Sequence, residues 1–139
     1  MQHLFVYGTL RGSAAGIAEL ATLFNTSARL LGDARLNGRL YAVSHYPGAV
    51  PSDASDEWVH GELYQLLAPE ALLARLDDYE ECSPSFPEPH EYRRCVLPVQ
   101  LIHPDRGQLQ LSAWVYVYAR DFEESSRIHS GRFTARASR

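Results

Sequence analysis

Two long stretches of alternating or apolar residues, Tyr92 to His103 and Gln108 to Arg120, flank the segment His103-Pro104-Asp105-Arg106-Gly107. Proline and glycine stand where a reversing chain needs them, so the pattern predicts a long β-hairpin. Other strand patterns accompany it. The apolar run Leu4-Phe5-Val6-Tyr7 ends at Gly8, and Trp58 to Leu66 resumes a strand pattern with Gly61 inside it, a sign of a bulge or a close backbone approach. From Ala28 to Val43 apolar residues alternate with polar or small ones, interrupted by Gly32 and Asn37-Gly38. The Asn-Gly pair predicts two short strands around a turn. Ser44 to Pro51 reads as a turn, and Ser52 to Glu57 as a polar loop.

Helical spacing occurs in two places. Ile17, Leu20, Leu23 and Phe24 fall on one face of a segment that starts at Ala14, with Ser13 where an N-cap belongs. Ala68 to Glu81 is the clearer helix: Pro69 sits near its start, and Leu72, Leu73, Leu76 and Tyr79 share a face. A proline-rich loop from Cys82 to Glu91 stops it. There is no strict βαβ alternation and no internal repeat, so the pattern fits an α+β domain whose sheet curls into a barrel. With 139 residues and 45% apolar composition, one core is expected. That domain is read as residues 1–122, followed by an Arg/Ser-rich tail over 123–139. From Ser125 on the tail has no periodic face, and it is expected to be frayed or partner-dependent.

Composition narrows the chemistry. The net charge is −4, with no basic stripe in the first 120 residues, so no nucleic-acid partner is expected. No apolar run approaches the length that spans a bilayer, and Met1-Gln2-His3 leads straight into a strand without a basic leader, so a cytoplasmic protein with no membrane partner is expected. Cys82 and Cys95 make neither a disulfide framework nor a zinc ligand set, and are read as free thiols. All thirteen basic residues are arginine. Without lysine there is no P-loop and no Schiff base. Gly8, Gly12 and Gly16 lack dinucleotide-fold spacing, and His60-x-Glu62 is half of a zinc-deaminase pattern whose cysteine half is missing. Neither metal nor cofactor is expected.

Two features remain. The glycine turn after the first strand can aim several N–H groups at a carboxylate, a phosphate or a developing oxyanion, although most such junctions are only structural. The other is Asp77-Asp78-Tyr79-Glu80-Glu81, four carboxylates at a helix C-terminus, where like charges and the macrodipole both oppose them. Helix spacing puts Leu73, Leu76, Asp77 and Glu80 along one stripe, with Glu80 at the buried margin and Asp78 and Glu81 toward water. A carboxylate there suits a general base, and a solvated acidic helix end is the ordinary alternative.

Together, Phe5-Val6-Tyr7-Gly8-Thr9-Leu10-Arg11, Tyr46-Pro47-Gly48, Val59-His60-Gly61-Glu62-Leu63-Tyr64, Leu76-Asp77-Asp78-Tyr79-Glu80 and Tyr92-Arg93 resemble the γ-glutamylcyclotransferase-like superfamily over about residues 3 to 120. The likeness is to its small branch, which includes γ-glutamylamine cyclotransferase. The resemblance implies a single-domain mixed β-barrel with flanking helices and an active site at its mouth. It implies that Tyr7, Gly8, Thr9 and Leu10 bind a γ-glutamyl group, that Glu80 is the catalytic acid/base, and that Tyr92 closes over the ligand. It departs from familiar members at Glu81-Cys82, where many relatives have glycine.

The expected activity is then cofactor-independent release of 5-oxoproline from a small-molecule γ-glutamyl amine or amino acid. The rival expectation is a non-catalytic module that holds a small carboxylate in the same pocket. A phosphate-binding hydrolase built on the glycine turn is disfavoured by the missing lysine and the missing metal cluster.

Overall fold

The computed structural model describes residues 2–8, 14–43, 46–105 and 107–133, with the backbone alone over 14–18. Its elements in order are β1 (His3–Val6), α1 (Ala14–Ser27), β2 (Ala28–Ala42), β3 (Pro47–Pro51), β4 (Trp58–Leu66), α2 (Pro69–Tyr79), β5 (Tyr92–His103), β6 (Gly107–Tyr118) and β7 (Arg127–Ile128), with a 3-10 turn at Glu124–Ser126 before the last.

Five of the strands close a ring. The order β2-β4-β1-β6-β5 returns to β2 through Ala34↔Leu101 and Arg35↔Gln100. Every pairing in it is antiparallel except β1 with β6, which makes the barrel mixed. The hairpin expected over 92–120 is the β5–β6 pair, in register from Tyr92↔Tyr118 to His103↔Gly107.

The apolar run of β1 is explained by burial on both faces. Phe5 points into the barrel with Leu36, Val59, Leu63, Val99 and Val115. Leu4 points outward into a second layer, where Leu20 and Phe24 of α1 and Leu72, Leu73 and Leu76 of α2 cover the sheet. Alternate residues of one strand thus serve two cores. Gly61 is the close approach its position predicted: a Cβ there would stand 2.3 Å from the Val6 carbonyl oxygen.

Three expectations are corrected. Asn37-Gly38 does not turn; β2 runs through it as one strand, with its irregularity at Leu30/Gly32 instead. Gly38 is needed because a Cβ would meet the Val50 carbonyl oxygen at 2.7 Å, and the Asn37 amide donates to the carbonyls of Ala54 (2.7 Å) and Glu57 (2.9 Å). The supposed turn over 44–51 contains β3, which pairs with the second half of β2 from Gly38↔Pro51 to Ala42↔Pro47. The segment from Ser125 is not frayed through Phe133. Arg127 and Ile128 pair with Tyr41 and Leu40, and the Gly131 carbonyl accepts from the His60 amide at 2.8 Å. Backbone pairing and ion pairs hold this segment, so it shows no apolar period. Ser13 and residues 134–139 lie outside the described residues.

Candidate active site

β1 ends beside the C-terminus of α2, and an open cleft lies between them. Tyr7 and Gly8 form one wall, Leu76 and Glu80 another, and Tyr92, Tyr116 and Pro47 enclose the rest. Of the residues singled out in the sequence, the structure brings Tyr7, Gly8, Glu80 and Tyr92 to one concavity. Thr9 and Leu10 lie outside the described residues.

Glu80 is placed by the way its helix stops. It is the C-cap residue; Glu81 follows with φ +57°. The Cys82 amide donates to the Asp77 carbonyl (2.9 Å) and the Glu81 amide to the Asp78 carbonyl (3.1 Å), which is the Schellman pattern. That left-handed residue is where glycine is usual. The turn leaves Glu80 half-buried at the cleft while Asp78 and Glu81 are exposed, the division that helix spacing predicted.

The tyrosines are fixed walls. The Tyr7 hydroxyl donates to the Tyr116 carbonyl and accepts from the Ala49 amide at 3.2 Å, so it braces β1 against β6 and β3. Tyr92 is 7% exposed and its hydroxyl donates to the Pro47 carbonyl at 2.6 Å. Burial first, then the neighbouring Tyr7 and Glu80, push the Tyr92 hydroxyl far above its ordinary range, so it stays protonated. The Tyr46-Pro47-Gly48 motif thereby gains a role: it offers the Pro47 carbonyl, and Gly48 lets Tyr118 pack where a Cβ would sit 2.8 Å from its ring.

Sequence reasoning missed Tyr116, Asp77 and Arg94. Arg94 stands directly opposite Tyr116 in the β5–β6 ladder, and both donate to Asp77. The available signal was Asp77 itself, a carboxylate on the apolar stripe of α2 that needs a partner when the stripe is buried. The Cys82 thiol beside this cluster is raised to about 11 by burial, then by Asp77 and Glu80.

A second groove meets the cleft at Val6, Tyr7 and Gly8 and carries Asp33, Arg35, His60, Glu62 and Arg132. Burial, with Arg132 and Arg35 nearby, lowers the His60 imidazole below its usual value. Among the described residues no three His, Cys, Asp or Glu side chains are grouped to hold a metal ion, and no helix is long and apolar enough to cross a membrane.

The family described as "Gamma-glutamyl cyclotransferase, AIG2-like" matches residues 4–135. The Gamma-glutamylcyclotransferase family protein YtfP of Escherichia coli K12 is 38% identical over 129 residues, covering 92% of each chain. Its counterpart in Citrobacter rodentium is 37% identical over 134 residues, covering 96% of each. Among solved structures, an AIG2-like protein from Mus musculus superposes with a TM-score of 0.67 at 25% identity, covering 96% of this chain and 88% of the mouse chain.

Proposed function

The chain belongs to the gamma-glutamyl cyclotransferase, AIG2-like family, and from that premise we propose that it releases 5-oxoproline from a γ-glutamyl amine or γ-glutamyl amino acid. One observation carries the reading: the half-buried Glu80 and Gly8 line the same cleft, although the two residues are far apart in sequence.

In this reaction the substrate's α-amine attacks its own γ-carbonyl carbon. The new C–N bond closes the five-membered ring and gives a tetrahedral oxyanion, which collapses as the γ-amide C–N bond breaks. The nucleophile is already tethered, so proximity supplies much of the rate. What remains is proton transfer. Glu80 takes a proton from the attacking amine and returns it to the departing one, a role worth roughly 10²–10⁴ in rate for a well-placed group. In this reading the amide of Gly8 meets either the substrate carboxylate or the oxyanion. Tyr7 and Tyr92 have committed their hydroxyls to backbone carbonyls, so their contribution is shape and exclusion of water.

The charged groove that opens from the same three residues supports a polar leaving group. The test is incubation with a panel of γ-glutamyl amino acids, γ-glutamyl-lysine and γ-glutamyl alkylamines, followed by measurement of 5-oxoproline. Release from at least one member, fastest where the leaving amine bears further charged groups, is the expected result. Ligand-induced thermal stabilisation without product from any member would replace the enzyme with a binding module.

A further inference from the structure

Glu80 is only useful if α2 is held at one rotation and one depth against the barrel. Leu72, Leu73 and Leu76 bury one face of the helix, but apolar contact is non-directional and tolerates sliding. The directional contact is made by Asp77, one turn before Glu80. Its Oδ1 accepts from Arg94 Nε at 2.7 Å and from the Tyr116 hydroxyl at 2.7 Å, and its Oδ2 accepts from Arg94 Nη2 at 3.0 Å.

The two donors are registered by the sheet. Arg94 and Tyr116 are direct cross-strand partners, and the Arg94 guanidinium is stacked 4.3 Å above the Trp114 ring. A planar fork held this way meets a carboxylate in one orientation only. The Asp77 carbonyl, meanwhile, accepts the Cys82 amide that closes the turn around Glu80. Tyr116 also lines the cleft, and its carbonyl receives the Tyr7 hydroxyl. Both catalytic walls are therefore referred to the same strand residue.

We propose that Asp77, clamped by Arg94 and Tyr116, is the positioning residue that sets the reach of Glu80 into the cleft. The proposal rests on the reading of the cleft as a cyclotransferase site. The titratable groups around Glu80 come from several elements: Cys82 in the turn and Tyr92 on β5 interact with it electrostatically, Tyr7 and Tyr116 line the same cleft, Asp77 with its partner Arg94 lies one turn before it, and Asp78 and Glu81 are its exposed neighbours along the chain.

Three variants test it on a substrate that the wild type turns over. Tyr116→Phe keeps the ring and removes one donor; Arg94→Gln leaves Asp77 uncompensated; Asp77→Asn leaves Arg94 uncompensated. In Tyr116→Phe, kcat falls about ten-fold with KM within about two-fold, as expected when a reacting group is misplaced while binding survives. In Arg94→Gln the acid limb of the pH profile moves up by about half a unit, and in Asp77→Asn it moves down by a similar amount, because charges one turn apart at this depth interact on that scale. Loss of thermal stability with kcat unchanged in Tyr116→Phe, or displacement of the two acid limbs in the same direction or not at all, overturns the proposal. If the wild type releases no 5-oxoproline, the cyclotransferase reading has failed separately. The carboxyl titration of Glu80, followed by carbon NMR in glutamate-labelled protein, then decides the clamp by the same opposed displacements.

Discussion

Among the described residues Glu81 carries the clearest local cost. Its left-handed backbone completes the turn that presents Glu80, yet a residue with a Cβ pays roughly 1–2 kcal/mol for that conformation. Glycine would remove the strain and lose part of the gain, about 0.4–1 kcal/mol, to the greater freedom of its unfolded chain. Glu81→Gly is therefore expected to stabilise the fold by about 0.5–1 kcal/mol in urea unfolding, whereas Glu81→Ala gains nothing. The position of Glu80 at the buried margin was legible because helix spacing is a local property. Tyr116 was not, since its reason to be a tyrosine is a carboxylate 39 positions away on a different element.

Among the elements, β2 shows how a local signal is overruled. Asn-Gly favours a tight turn when nothing else competes. Here the flanking residues pair without a break, with β4 up to Asn37↔Trp58 and with β3 from Gly38↔Pro51, so the turn would forfeit ladder bonds on both sides. Glu57 then ties the elements around this strand together: it accepts from Arg39 Nε at 2.9 Å, from Ser52, and from Arg127 Nη2 at 3.3 Å. The hydrogen bonds from Arg39 and Ser52, followed by the Arg39 and Arg127 charges, hold its carboxyl down at about 2. A carboxyl lowered on folding stabilises the native state above its ordinary value and loses that contribution as pH falls through the folded one. Melting temperature should therefore drop between about pH 4.5 and pH 2, and Glu57→Gln should flatten that part of the curve while lowering stability at neutral pH. An unchanged acid slope in the variant would place the acid sensitivity elsewhere. No periodicity announces this network, which is why the segment over 125–133 looked unstructured in sequence.

At the scale of the whole molecule, closure of the sheet decides where function is possible. Joining β2 to β5 encloses an interior packed with apolar side chains. Space remains where β1 leaves the sheet and α2 ends against it, and there the Tyr-Gly segment and the acidic helix end meet. The α+β class and the barrel were readable from strand patterns and family likeness together, but ring order was not, because the parallel β1–β6 contact joins residues from opposite ends of the chain. Glu80→Gln, whose amide is nearly isosteric, should fold and melt like the wild type, bind the same γ-glutamyl compound, and release 5-oxoproline at least about 10² times more slowly. A folded Glu80→Gln protein that forms 5-oxoproline at the wild-type rate would contradict the account.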